Sequence, residues 1–400
     1  MKLHQRWAMS FFVLSLLVPS QLAIDLYMPS IPHMIAPLHT TAARVQLSLA
    51  AYIFPYAFTP LIIGPMSDRW GRRWLLLLGF IAYTVGAFFS ALSNTIGFLL
   101  WMRAITGVGG GMLGLFSRAI MRDAFEGPAL RRISSYQAAV WAFVPLAAPV
   151  IGGYLQHLLG WRANFFALAL VGALLFCIFL LFYPETKKVE ERQHFQPKVL
   201  LRNYWKLIGD REALGYVTIV FFQYGAYTGL ILASPFLLQT QLGLTPPEYG
   251  WAMFFVGLGV MIGALISSGL SHRLALKTVM WGGVVLGIAA AATLLGLPLA
   301  TLFTLMAYII PALFLVIAFG IVWPNAAAGC MQIYPELSGS AAAIIPLFAS
   351  VGGGVISLIV AKLPEQNPIP LATTLLILMG LSGLVLLLIS KRRWGILSGR

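Results

Sequence analysis

The chain has 400 residues, of which 60% are hydrophobic and only 10% are charged, and its mean hydropathy is +0.87. Soluble domains carry about 25% charged residues, so this composition excludes an ordinary soluble protein. The net charge of +14 would indicate a nucleic-acid partner in a soluble chain. Here the enrichment of Lys and Arg in the cytoplasmic loops of membrane proteins explains it, and we expect no such partner. Cys177 and Cys330 lie in apolar segments, which predicts neither a disulfide framework nor a metal site.

Apolar segments close to the ~20 residues that cross a bilayer as a helix recur along the whole chain. The first follows a basic start and resembles a secretory signal peptide, but its apolar run continues to Ile31, so we expect an uncleaved helix. The ~10-residue alternation of a membrane barrel is absent from the sequence. The predicted spans are 8–32, 44–63, 74–93, 96–121, 133–159, 162–183, 213–238, 248–270, 278–298, 301–332, 339–363 and 370–390.

One long polar segment separates six predicted spans from six. We therefore predict an all-α membrane protein with an N-terminal bundle over 1–183, a cytoplasmic linker over 184–212 and a C-terminal bundle over 213–400. The loop after the second span, "SDRWGRR", and the loop after the eighth, "SHRLALK", share Ser, Arg and a final basic residue in register. This similarity indicates that the second half repeats the first, as in one large class of transporters.

The distribution of Lys and Arg predicts the orientation. With the N-terminus in the cytoplasm, the outside loops contain only Arg44, Arg162 and Lys362, while Arg103 and Arg118 fall within the fourth span. The other 21 of the 26 basic residues are then inside, which is a strong positive-inside bias. We expect both termini to be cytoplasmic.

The loop after the second span, "GPMSDRWGRRW", is the most specific motif. Gly64 and Gly71 allow close backbone approach and a tight turn, and Asp68 can accept a charge-assisted hydrogen bond. A generic positive-inside loop would explain the arginines but neither the glycines nor Asp68. The basic residues that could bind this loop to neighbouring helices are Arg69, Arg72 and Arg73.

Asp25 is the one acidic residue of the chain that lies deep in a predicted span. An ionised carboxylate at the middle of a bilayer costs at least ~2.5–3.5 kcal/mol, so such a residue suggests a function. At ~1.5 Å per residue, Asp25 and Arg103 each lie about 28 Å from the inner end of their spans and can share one layer. An apolar setting favours the neutral acid and a nearby arginine favours the carboxylate, so we predict a proton-coupling site. A cation-recognition site, a structural Asp–Arg bridge and a helix break before Pro29 are the alternatives.

The fifth predicted span contains "PLAAPVIGGYL". Pro149 cannot donate to the helix ladder and should kink this span. Gly152 and Gly153 let another helix pack closely. Ordinary helix packing is the alternative explanation of the three residues.

Together these segments resemble the major facilitator superfamily. "GPMSDRWGRR" resembles its signature loop, "LLWMRAITGVGGG" its Arg-x-x-Gln-Gly motif with Thr106 at the glutamine, and "PLAAPVIGGYL" its Gly-Pro-x-x-Gly-Gly antiporter motif with Ala148 at the first glycine. With "IDLYMPSIP", "SRAIMRDAFE" and "GWRANFF", the set looks most like the bicyclomycin/chloramphenicol-resistance branch of drug:proton antiporters. The resemblance implies two pseudo-symmetric six-helix bundles, a signature loop that helps to hold the outward-open state, and Arg122 with Asp123 as a cytoplasmic gate pair beside it.

Aromatic and uncharged polar residues within the spans are candidates for a wide substrate cavity that would favour lipophilic aromatic molecules. Packing or an interfacial anchor is the alternative role for each of them. The candidates are Tyr27, Tyr52, Tyr56, Gln137, Trp141, Gln223, Tyr227, Trp323 and Asn325.

No motif in the sequence indicates catalysis, a cofactor or a nucleotide-driven pump. We expect a monomeric proton-coupled transporter in the bacterial inner membrane that exports small lipophilic molecules by alternating access. Its partners would be the substrate, protons and the lipid bilayer. A transporter of one metabolite, such as a nucleoside, sugar or siderophore, is the alternative; a non-coupled facilitator or a membrane enzyme fits less well.

Overall fold

The computed structural model of the protein describes residues 3–185, 197–300, 302–365 and 367–391, and all regular structure in these ranges is helical. Twelve helical segments within them are long and apolar enough to cross a membrane. The α-helices are α1 (Leu3–Ser15), α2 (Leu17–Asp25), α3 (Ala42–Trp70), α4 (Arg73–Ala91), α5 (Ile96–Ala124), α6 (Gly127–Leu159), α7 (Trp161–Phe182), α8 (Pro197–Gly209), α9 (Arg211–Pro235), α10 (Pro246–Ser271), α11 (Leu276–Leu299), α12 (Leu305–Ile333), α13 (Ser338–Val360) and α14 (Pro368–Lys391). The twelve-span, all-α prediction is confirmed.

Polar side chains at the helix starts explain several of these boundaries. Thr41, Thr95 and Thr304 each accept a hydrogen bond from the backbone N–H three residues later, at 3.3–3.4 Å. Asp210 accepts two such bonds at the start of α9, both at 2.9 Å. Each cap satisfies donors that the first helical turn leaves open. Gly71 has a φ of +91° where α3 ends, a conformation that L-residues avoid, so the glycine permits the turn there.

The first span is less regular than predicted. α1 and α2 are followed by a 3₁₀ helix over Met28–Met34, so regular α-helix stops at Asp25. Proline explains the change, because Pro29 and Pro32 cannot donate to an α-helical ladder. Asp25 therefore lies at the junction between two kinds of helix.

The chain divides into two compact units. The first contains residues 1–195 together with Thr245–Trp251, and the second contains residues 196–244 and 252–400. In the first unit α5 packs against α3 and α4, and α4 packs against α7. In the second unit α9 packs against α13 and α14, and α11 packs against α12 and α14. Helix α8 lies in the range that the sequence predicted to be a linker, of which residues 186–196 are outside the described part.

Small residues bring the helices of the first unit into backbone contact. A side chain at Gly107 of α5 would meet the backbone of Tyr52 on α3. One at Gly109 would meet the backbone of Tyr83 on α4. Close approach of this kind stabilises helix pairs in lipid, where no hydrophobic effect drives helices together.

Candidate functional site

Asp25 is the acidic residue that the sequence singles out, and the structure buries it. The side chain is 5% exposed at the last residue of α2. Within the described part of the chain, its carboxylate makes no hydrogen bond and no ion pair. A buried carboxylate is normally paired, so its isolation is unusual.

Arg103 is completely buried on α5 and binds the first span. Its Nη2 donates to the carbonyl oxygen of Ala23 at 2.9 Å, and its Nε donates to the carbonyl of Ser48 at 3.4 Å. The guanidinium lies over the rings of Tyr27 and Tyr52, with 4.5 and 4.6 Å from Cζ to the ring centroids. Arg103 thus holds the first and second spans together by cation–π contacts and carbonyl hydrogen bonds.

Arg103 and Asp25 do not form an ion pair in the structure, although the depth argument allowed one. Tyr27, which stacks on Arg103, follows Asp25 by two residues, and two residues turn a helix by about 200°. The side chains of Asp25 and Tyr27 therefore leave the first span on nearly opposite sides. A direct Asp25–Arg103 bridge is absent, and the Asp25 carboxylate has no partner among the residues that the structure describes.

Several other buried polar atoms of the first unit lack a hydrogen-bond partner among the described residues. Among them are Nη1 of Arg103, Oε1 of Gln46 and Oδ1 of Asn164. The amide of Asn164 donates to the Ser30 hydroxyl at 2.7 Å and to the carbonyl of Gly152 at 3.3 Å, which joins three spans. Each unsatisfied buried polar group costs about 1–3 kcal/mol, so each of these atoms calls for an explanation in function or in bound water.

The signature loop forms a charged network at one end of the first unit. The Arg72 guanidinium binds Asp123, through an ion pair at Nε and a 3.1 Å hydrogen bond from Nη2, and contacts Asp68 at 3.5 Å. The backbone N–H groups of Arg72 and Arg73 donate to the two carboxylate oxygens of Glu185, at 3.0 and 3.1 Å. Arg72 is therefore the basic residue through which the loop binds α5.

The other predicted residues of this loop play different parts. Arg73 donates from Nη2 to the carbonyl of Leu180 at 2.9 Å, which ties the loop to α7. Arg69 and Arg122 are exposed, and Gly64 lies within α3, facing Leu115 at a distance that leaves room for a methyl group. The predicted gate pair thus contributes Asp123, rather than Arg122, to the ionic network.

The antiporter-like segment of α6 packs against two other chain segments of the first unit. A side chain at Gly152 would meet the carbonyl oxygen of Leu26, one residue after Asp25. A side chain at Gly153 would meet the carbonyl oxygen of Pro246. Pro149 is buried, and the helix runs on through it to Leu159. Gly152 therefore allows α6 to lie directly on the backbone beside Asp25.

The cavity candidates of the first unit are largely occupied by contacts within that unit. Tyr27 and Tyr52 are fully buried; the hydroxyl of Tyr27 bonds to Ser48 at 3.1 Å, and that of Tyr52 donates to the carbonyl of Ser20 at 2.8 Å. Tyr56 stacks on Tyr52 with 5.7 Å between centroids. Gln137 donates to Ser117 at 2.7 Å, and Trp141 is half-buried.

The candidates of the second unit include an aromatic cluster that the sequence only partly identified. Tyr227 stacks on Phe319 at 4.9 Å with an interplanar angle of 12°, and Trp323 lies 5.5 Å from Phe319. Tyr224 joins the same cluster. The rings come from one face of α9 and one face of α12, because residues three or four apart share a helix face.

The two amides predicted for this cavity are buried in the second unit. Asn325 donates to Ser267 at 2.6 Å, and Gln223 lies against the sulfur of Met379 at 3.5 Å. The side-chain oxygen of Gln223 has no partner among the described residues. Gln223 thus has a buried acceptor to spare.

Two residues of these networks were not predicted. Glu185 was assigned only to a loop, because its partners Arg72 and Arg73 lie far away in sequence. Asn164, within "GWRANFF", carries no local signal beyond being an amide in an apolar segment. Within the described ranges, no group of three or more His, Cys, Asp or Glu side chains is placed to hold a metal ion.

The chain is similar to curated bacterial proteins over nearly its whole length. It is 27% identical to multidrug resistance protein D of Escherichia coli, over 97% of this chain and 96% of that protein. It is 26% identical to the bicyclomycin resistance protein homolog of Haemophilus influenzae, over 93% and 94%. Among solved structures, the xylose transporter XylE of E. coli superposes with a TM-score of 0.73 at 15% identity, covering 96% of this chain and 97% of that one. This last likeness shows the fold alone.

Residues 13–357 match the sequence pattern of the Major Facilitator Superfamily. This range includes the buried Asp25–Arg103 layer, the Arg72 network and the α6 glycines. The sequence motifs, the twelve apolar helices and this match agree. The chain is a multi-pass membrane transporter that belongs to the Major Facilitator Superfamily.

Proposed function

We propose that the protein is a proton-coupled antiporter that exports small lipophilic molecules by alternating access, and that Asp25 carries the proton. The observation behind this proposal is a carboxylate 5% exposed in a membrane span, with no partner among the described residues. The names of the relatives, multidrug resistance protein D and bicyclomycin resistance protein homolog, support export of drug-like molecules. In this proposal the protein acts as a monomer in the inner membrane, with both termini in the cytoplasm.

The isolation of Asp25 suits a group that must gain and lose a proton. A carboxylate held in an ion pair would stay charged, whereas one in apolar surroundings becomes cheaper to bury when it is protonated. Arg103 binds the carbonyl of Ala23 and the ring of Tyr27 instead, and so it fixes the first span without neutralising Asp25. The proton would bind while the site is open to the acidic side and leave when the site opens to the cytoplasm.

The aromatic cluster of the second unit supports lipophilic substrates. The centroid of the Phe319 ring lies 4.9 Å from that of Tyr227 and 5.5 Å from that of Trp323, and aromatic clusters of this kind bind planar apolar molecules without demanding fixed hydrogen bonds. The spare acceptor of Gln223 could add one hydrogen bond. A sugar or nucleoside site would instead need several polar groups aimed at hydroxyls.

Inverted membrane vesicles test both parts of the proposal. Vesicles that contain the protein are energised to an acidic interior that holds a pH-sensitive dye, and lipophilic drugs, nucleosides and sugars are added in turn. Addition of a drug should release protons from the wild type and not from Asp25→Asn. Glu365→Gln is the matched control, because Glu365 is a partly buried carboxylate that lies in a loop outside the spans.

Each outcome decides one part. If drug transport does not depend on the pH gradient and is unchanged in Asp25→Asn, the protein is a non-coupled facilitator and Asp25 has no part in the mechanism. Proton release on addition of one nucleoside or sugar, with no response to drugs, would replace drug export by transport of that metabolite. Loss of coupling in Glu365→Gln as well would show that the effect is not specific to Asp25.

A further inference from the structure

The second unit contains a cavity of about 640 Å³ beside the termini of four helices. α9 and α11 begin beside it, and α12 and α14 finish beside it. The positive-inside bias predicts that this is the cytoplasmic edge of the membrane. None of the residues that line it belongs to the candidate transport site.

The charged groups of the cavity form one ion pair at its rim. The Lys277 ammonium lies 2.7 Å from a carboxylate oxygen of Glu212, and it also donates to the carbonyl of Ile389 at 2.8 Å. Lys277 stands at the start of α11 and Glu212 at the start of α9. Both side chains remain partly exposed, at 21% and 35%, so both can meet a ligand.

Aromatic side chains lie one helical turn deeper on the same helix faces. Trp281 follows Lys277 by four residues and Tyr216 follows Glu212 by four residues, and both line the cavity. Four residues advance a helix by about 6 Å, so a charged layer lies above an aromatic one. Gly329 of α12 lets the Tyr216 ring pack directly against that helix, because a side chain there would come within 2.6 Å of the ring.

The same face of α11 continues towards the bilayer. Val285 follows Trp281 by four residues and is 58% exposed, so the sequence Lys277, Trp281, Val285 runs from charge through aromatic ring to bare apolar surface. A phospholipid has this order of chemistry: a charged head group, an interfacial glycerol region and an acyl chain. Tryptophan and tyrosine favour the level between head group and chain.

We propose that this cavity binds the head group of a zwitterionic phospholipid with a primary ammonium, its phosphate toward Lys277 and its ammonium toward Glu212. The rim presents one positive and one negative group side by side, which complements a head group that carries both charges. An anionic head group would satisfy Lys277 but would be repelled by Glu212. A choline head group would offer Glu212 a charge without an N–H donor, and would therefore lose the charge-assisted hydrogen bond.

Native mass spectrometry of the full-length protein tests the proposal. Short-chain phosphatidylethanolamine, phosphatidylcholine and phosphatidylglycerol are added at equal concentrations, and water-soluble glycerophosphoethanolamine is added separately. The wild type should retain phosphatidylethanolamine most strongly. Lys277→Gln should bind it about tenfold more weakly, since hydrogen bonds to charged groups contribute roughly that factor. Arg273→Gln is the control, because Arg273 is an exposed residue of the same loop that does not line the cavity.

The Glu212→Gln variant tests the orientation of the head group, and this test is independent of the result for Lys277→Gln. This variant should still bind phospholipid but should lose its preference for ethanolamine over choline. Equal affinities of the wild type for the two lipids, or an unchanged preference in Glu212→Gln, would overturn the proposal. If glycerophosphoethanolamine binds and the intact lipid does not, the ligand of the cavity is a soluble head-group compound and the proposal of a phospholipid is wrong. Tighter binding of the intact lipid would support the proposal.

Discussion

The guanidinium of Arg103 stacks on the ring of Tyr27, with 4.5 Å between Cζ and the ring centroid, while its Nη2 donates to the carbonyl of Ala23. The planar guanidinium can stack on a ring and donate from its fixed N–H groups at the same time, which the ammonium of lysine does less well. We predict that Arg103→Lys lowers the melting temperature of the purified protein, and that Arg103→Gln lowers it further. Hydrogen bonds to charged groups stabilise by about 1.5–3 kcal/mol, so the loss should be several degrees. A melting temperature of Arg103→Lys equal to that of the wild type would contradict this role.

Asp25 should behave in the opposite way, because its carboxylate has no partner among the described residues. Replacing it with asparagine removes a buried charge and breaks no interaction in the structure. We predict that Asp25→Asn melts at or above the wild-type temperature at pH 8. The gain should shrink as the buffer is acidified, since the wild-type carboxyl group is then neutral too. A large loss of stability at pH 8 would mean that Asp25 has a structural partner after all.

The depth of Asp25 and of Arg103 in the membrane could be predicted from the sequence, but the relative direction of their side chains could not. The number of residues along each helix predicts the depth of Asp25 and Arg103, because the rise per residue is constant. It does not predict which side of one helix faces the other. That side depends on how α2, α3 and α5 pack, and on the change to a 3₁₀ helix after Asp25. The twelve spans, in contrast, follow from local hydropathy alone, and the structure has all of them. Glu185 was unpredictable because its two backbone partners lie more than a hundred residues away.

Gly152 should be intolerant of even one added methyl group. An alanine there would place its Cβ against the carbonyl oxygen of Leu26, beside Asp25. Forcing extra atoms into packed regions costs about 1–3 kcal/mol, so Gly152→Ala should lower the melting temperature and impair transport. Gly282→Ala is the matched control, because no atom lies within 4 Å of the added methyl and alanine favours the helix. Equal melting temperatures for the two variants would refute the close contact between α6 and the first span.

Glu185 should stabilise the start of α4. Its two oxygens accept the backbone N–H groups of Arg72 and Arg73, at 3.0 and 3.1 Å, and a negative charge at a helix N-terminus is favourable. Glutamine keeps one acceptor and loses the charge, so Glu185→Gln should lower stability by about 1 kcal/mol. Thermal melting of Glu185→Gln is compared with that of Glu126→Gln. Glu126 is exposed and its side chain does not cap its helix, so the difference between the two variants measures the contribution of the Glu185 contacts. An identical response of both variants would show that the contact contributes nothing.

Glu365 gives a prediction whose sign depends on pH. Burial raises the pKa of this carboxyl group above the ordinary value of 4.5. The folded protein therefore holds the proton more tightly than the unfolded chain does, so the favourable contribution of the neutral acid is present below pH 4.5 and is lost as the pH rises through the folded-state pKa. Glu365→Gln cannot ionise, so it should melt above the wild type at pH 7 and together with it at pH 4. Melting curves of both proteins across this range test the sign: a variant less stable than the wild type at pH 7 would mean that the ionised carboxylate is stabilised in the folded state.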